Sequence, residues 1–76
     1  MEYQVWILGY NADNTVNDFE QLEASFPEKD KAIWFAENYD FSKPTITDKA
    51  VVVVEKVDID EDGNESCEDI LLEREL

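Results

Sequence analysis

Histidine is absent from this 76-residue chain, and cysteine, proline and glycine number only one, two and two. Without histidine there is no Ser-His-Asp or Cys-His catalytic arrangement, and no zinc site of mixed histidine and cysteine ligands. A lone cysteine, Cys67, excludes an intramolecular disulfide and any disulfide scaffold. Ser66 and Glu68 flank it. Carboxylates nearby would raise its thiol pKa, the wrong direction for a nucleophile. Gly9 and Gly63 stand alone, so no glycine-rich loop can cradle a phosphate. No apolar run approaches the ~18 residues of a membrane span, and no basic, apolar leader precedes the first strand pattern. The expectation is a cytoplasmic protein in a reducing compartment, with no cofactor and no membrane association.

Positive charge is the other scarcity. Six Lys and Arg face twenty Asp and Glu, leaving a formal charge of -14, well beyond the magnitude of about 2 to 8 usual for a small domain. Such a surface repels nucleic acid and anionic membrane and attracts basic protein faces. It also opposes compaction, the more so at low salt. Apolar residues nevertheless make up 43% of the chain, with four Phe, three Tyr and two Trp. That content is enough to fold, and the length fits one domain over residues 1–76.

Tyr3 to Tyr10 is rich in β-branched and aromatic types and reads as a strand. Tyr3, Val5 and Ile7 share one face, and Gln4, Trp6 and Leu8 the other. Neither face is cleanly polar, as for a central strand touched on both sides. Asn11 to Asn14 favours a turn. Thr15 to Phe26 admits two readings. Phe19, Leu22 and Phe26 fit a short helix, whereas Val16, Leu22, Ala24 and Phe26 share strand parity. An extended return is preferred, because a helix ending at Phe26 would abut Pro27.

Pro27 to Tyr39 reads as the helix. Pro27 suits its first turn, Glu28 and Asp30 its positive end, and Ala32, Phe35, Ala36 and Tyr39 its apolar stripe, with Ile33 at the border. Asp40 to Asp48 is a connection interrupted by Pro44. Lys49 to Ile59 is the clearest strand, followed by a hairpin loop over Asp60 to Asn64 in which Gly63 takes positive φ. Ser66 to Leu76 returns as a strand of mixed parity, which implies a bulge or a helical last turn. The fold class expected is α+β: a small three- or four-stranded, mainly antiparallel sheet with one helix packed on one face. Trp6, Leu8, Val52 and Val54 are expected on the sheet's other face.

Two patterns bear on function. Asp58-Ile59-Asp60-Glu61-Asp62-Gly63 matches the D-x-D-x-D-G opening of a calcium loop, with Ser66 at the ninth position and Asp69 at the twelfth. This short stretch resembles EF-hand loops. It departs from them in having Asp for the bidentate Glu, Glu65 where an apolar residue anchors the loop, and a strand where the entering helix belongs. It implies at most weak calcium binding by Asp58, Asp60, Asp62 and Asp69, and an acid-rich hairpin loop is the preferred reading. Carboxylate pairs are too abundant for any one pair to mark an acid–base site, since that use needs a cleft that separates their pKa values. No enzyme is expected.

The second pattern is the charge itself. Carboxylates held on a rigid fold can fill a groove that a nucleic-acid-binding protein keeps for phosphates. A desolvated aromatic would supply the anchor. Trp34, which lies on the polar side of the helix with Asp30 and Glu37, is the first candidate, and Trp6 the second. In charge and size the chain resembles small inhibitors, often phage-encoded, that mimic nucleic acid to block restriction or CRISPR enzymes. The expected function is a small acidic protein-interaction module whose partner is a basic, nucleic-acid-binding protein, with no direct contact to nucleic acid. The alternative is a structural domain that self-associates as a homodimer.

Overall fold

The computed structural model describes all residues from Met1 to Leu76. Four strands and one helix follow in the order β1 (Glu2–Tyr10), β2 (Val16–Phe26), α1 (Lys29–Asn38), β3 (Lys49–Ile59) and β4 (Glu65–Glu75). The strands form one sheet in the order β2-β1-β3-β4, with every neighbouring pair antiparallel. The class is α+β, a four-stranded antiparallel sheet with the helix on one face. Thr15 to Phe26 resolves as the extended return. Because β2 and β3 both run antiparallel to β1, they run parallel to each other, and α1 makes the crossover that such a pair requires.

Each hairpin is closed by its own side chains. In the first loop Asn14 takes φ 69°, and the Asp13 carboxylate accepts bonds from the Thr15 amide at 3.1 Å and hydroxyl at 2.6 Å. In the second, Gly63 takes φ 83°, and Asp60 Oδ1 accepts the Asp62 and Asn64 amides, both at 2.9 Å. These bonds to the charged form hold both carboxyls below their ordinary range.

The core lies between the helix and the sheet. Val5 and Ile7 of β1, Ala50, Val52 and Val54 of β3, and Ala32 and Ala36 of α1 bury against one another. Small helix residues let α1 lie close to the valine surface. The register pairs Val5 with Val54 and Ile7 with Val52. Val52 and Val54 therefore face the helix, contrary to expectation, and Val51, Val53 and Val57 share the opposite face with Trp6 and Leu8. Alternation shows which residues are coplanar. It does not show which set the helix selects.

The helix is shorter than its sequence pattern suggests. Pro27 precedes the extended N-cap Glu28 rather than sitting in the first turn, and Glu28 makes no side-chain cap bond. Tyr39 is the extended C-cap rather than a helical residue, and its ring stacks on Phe35 of the apolar stripe at 4.8 Å and packs against Phe41 at 4.9 Å. Register shifts occur along β1–β2 and β3–β4. Those in β4 pass over Glu68 and Leu71, which accounts for its mixed parity by bulges rather than by a helical turn. The connection before β3 packs over Gly9: a methyl group there would collide with the buried Thr47 side chain. No helix is long and apolar enough to cross a membrane.

Candidate functional site

The two tryptophans lie on opposite sides of the molecule. Trp34 projects from the outer surface of α1 and is 65% exposed. With Phe26, Asp30, Lys31 and Phe35 it lines a shallow, mostly apolar groove of about 300 Å³. The Phe26 and Phe35 rings meet at 5.5 Å beneath it. Asp30 is therefore beside Trp34 as expected, whereas Glu37 is exposed but does not line the groove. Lys31 does line it, and its ammonium lies 3.7 Å from Glu28. The acidic setting inferred for Trp34 thus contains a cation. Phe26 was not anticipated as a neighbour; its contact depends on where β2 ends relative to the helix.

Trp6 sits on the sheet face that no helix covers. Its indole N–H donates to Gln4 Oε1 at 3.0 Å, and the Gln4 amide nitrogen donates in turn to Glu2 and Glu65 at 3.3 and 3.4 Å. This chain holds the indole along its own strand, and Gln4 is buried beneath it.

Three cross-strand rows describe this open face. One runs Leu22, Trp6, Val53, Glu73; the next Glu20, Leu8, Val51, Glu75; a third Ser25, Gln4, Glu55, Ile70. The centre is apolar, and Val53 is only 3% exposed without any covering layer. The row ends are the carboxylates of Glu20, Glu73 and Glu75, the half-exposed aliphatics Leu22 at 47% and Ile70 at 48%, and Ser25.

Glu55 interrupts the apolar centre. Loss of water around it, and then the Glu20 carboxylate across the same face, push its pKa above the ordinary glutamate value. Cys67 lies opposite Val57 on this face. Partial desolvation, with Glu55 next in effect, raises its thiol pKa as well. The acids of the open face escaped notice in the sequence because parity within one strand does not say which residues of other strands lie beside it. Only Glu55, breaking the valine run, was a visible signal.

The calcium-like residues do not converge. Asp58 lies opposite Ser66 and Asp69 opposite Lys56 within the β3–β4 ladder, while the Asp60 carboxylate closes its own loop. No group of three His, Cys, Asp or Glu side chains is placed to share a metal ion. Comparison with protein-family models, with curated proteins and with solved structures finds no match to this chain.

Proposed function

We propose that this protein is a non-catalytic interaction module that binds a basic protein, presenting carboxylates where that protein expects the phosphates of a nucleic acid. The observation that carries the reading is the lack of internal neutralisation. Twenty acidic side chains are accompanied by one ion pair, Lys31–Glu28, which is itself exposed. Uncompensated charge of this size works against the fold, and a cationic partner removes that opposition on binding. The free thiol of Cys67 is compatible with a reducing compartment, and we place the protein in the cytoplasm.

Self-association is the second reading, favoured by the uncovered apolar centre around Trp6 and Val53. The two readings separate in one experiment. Tagged protein is used for affinity capture from its native host's lysate at low and high salt, with DNA or RNA added as competitor. The expected result is a basic nucleic-acid-binding protein that is released by salt and by nucleic acid. Recovery of the protein alone, self-associated at both salt concentrations, would overturn the proposal in favour of a homodimer.

A further inference from the structure

The molecule offers two apolar surfaces, and charge distinguishes them. The helix side holds most of the cations. Lys29 and Lys31 belong to α1, and Arg74 donates to the Ala36 and Tyr39 carbonyls at 3.1 Å each. Lys56 is paired with Tyr3 and Asp69 and has the parity of the helix-facing residues. Lys43 is tied to the Thr47 carbonyl at 2.7 Å in the connection. On the open face the register gathers Glu2, Glu20, Glu55, Glu65, Glu73 and Glu75. Its one cation, Lys49, is engaged by Asn14 Oδ1 at 2.7 Å. Both Lys49 and the Glu73 and Glu75 pair border a single depression with Val51 and Tyr10, which shows that these β3 and β4 residues project to one side.

We propose that the open face of the sheet is the docking surface, and that its occupant is a protein surface with an apolar centre rimmed by lysine or arginine. This rests on the basic-partner reading and assigns it to one face. The apolar centre of Trp6, Leu8, Val51 and Val53 supplies the desolvated contact, and Leu22 and Ile70 extend it to the sheet edges. The carboxylates at the row ends then meet the rim cations, an arrangement of hydrophobic core and charged border common to transient interfaces.

Size is consistent with this use. Four strands spaced about 4.8 Å apart, with roughly 9 residues of useful length, present an area of about 600 Å². A standard interface takes about 800 Å² from each partner. A second copy fits poorly, since stacking two such faces sets six carboxylates against six. Glu55 sharpens the point. It is already partly desolvated, and its chain neighbour Lys56 has the opposite parity and forms no ion pair with it. A like-charged surface would desolvate it further, whereas an arginine would pair with it.

The test uses the isotopically labelled full chain and three synthetic peptides of equal length. The first is an amphipathic leucine–lysine peptide, the second replaces every leucine by serine, and the third replaces every lysine by glutamate. At low salt the leucine–lysine peptide is expected to shift the amide resonances of Trp6, Leu8, Val51 and Val53, with those of α1 unmoved. Affinity should fall about tenfold or more with the serine peptide and vanish with the glutamate peptide. The double variant Leu22→Ser/Ile70→Ser alters only half-exposed residues and should keep the native spectrum, yet weaken binding about tenfold. Trp34→Ala should leave binding unchanged.

Shifts centred instead on Phe26, Trp34 and Phe35 would refute the face assignment while leaving the basic-partner reading intact. Equal binding of the leucine and serine peptides would refute the apolar contact. Absence of any response to cationic peptides would sink both proposals. A concentration-dependent dimer, with the open-face amides perturbed in the absence of peptide, would give the face to a second copy and overturn this assignment.

Discussion

Gly9 shows how a single residue position is set by packing rather than by backbone freedom. It lies on β1 opposite Ala50, and the Thr47 methyl and Phe19 Cβ occupy the space where a side chain would begin. Gly9→Ala therefore forces the buried Thr47 to move, and overpacking of this kind costs about 1–3 kcal/mol. Thr47→Ser removes the obstructing methyl but keeps the hydroxyl that donates to the Pro44 carbonyl at 3.2 Å. The double variant Gly9→Ala/Thr47→Ser should recover most of the loss relative to Thr47→Ser alone, as measured by a double-mutant cycle in urea. Additive effects would show that the strain lies elsewhere.

Glu55 makes the opposite kind of statement, since its placement disfavours its charged form. A carboxyl whose folded pKa is raised binds its proton more readily in the native state than in the unfolded one. Its ionisation thus lowers stability as pH rises from the ordinary glutamate range through the folded value, and the cost vanishes below that range. Glu55→Gln should stabilise the protein at pH 7 by less than about 1 kcal/mol, because the group keeps partial contact with water. The gain should disappear near pH 3. Equal gains at both pH values would mean that packing, rather than charge, drives the change.

Among the elements, the helix and β4 depend on each other in a way invisible to local pattern. The last turn of α1 contains no basic residue, although cations are favoured there by the exposed carbonyls. Arg74 fills the role from β4, far along the chain, through its bonds to the Ala36 and Tyr39 carbonyls. Arg74→Met should destabilise the fold by about 1–2 kcal/mol, and the loss should persist at about 1 M salt, where long-range charge is screened. A loss abolished by salt would mean that Arg74 acts only through net charge.

The same remoteness explains what could be read from the sequence. The β3 valine run, the Gly63 loop and the alanine stripe of α1 announce themselves through local spacing. The extended state of β2 followed from Pro27 and from the parity of its apolar residues. The side taken by Val52 and Val54 depends on pairing with Val5 and Ile7, and the bulges of β4 on pairing with β3. No local feature encodes these. The candidate site was therefore only half legible: the excess of acid and the two tryptophans stood out, but which acids gather on one face, and the placing of the tryptophans on opposite sides, required the register. Edge placement also gives some of the acids a structural use. Asp18, Glu20 and Glu23 on β2, and Glu68, Asp69 and Glu73 on β4, lie on the two strands with an unpaired side, where charge discourages edge-to-edge association.

At the scale of the whole molecule these charges set how stability responds to solution conditions. With a formal charge of -14 at pH 7 and a sequence pI near 4.1, the native state repels itself more than the expanded chain does. Screening should raise stability between about 0.01 and 0.3 M sodium chloride, as the Debye length falls from about 30 Å to well under 10 Å. Acidification acts in the same direction at first, because protonating exposed carboxylates and Glu55 removes like charge. Asp13 and Asp60 act the other way. Their folded pKa values are depressed, so the stability they contribute is present above the ordinary aspartate value and is lost as pH falls through it toward the folded one. Maximum stability should consequently lie between about pH 4.5 and 6 rather than at neutrality, with the advantage of pH 5 over pH 7 shrinking as salt is added. Urea unfolding followed by tryptophan fluorescence would measure this. A stability unchanged by both salt and pH over that range would show that self-repulsion is not a significant term, and would remove the physical motive for a cationic partner.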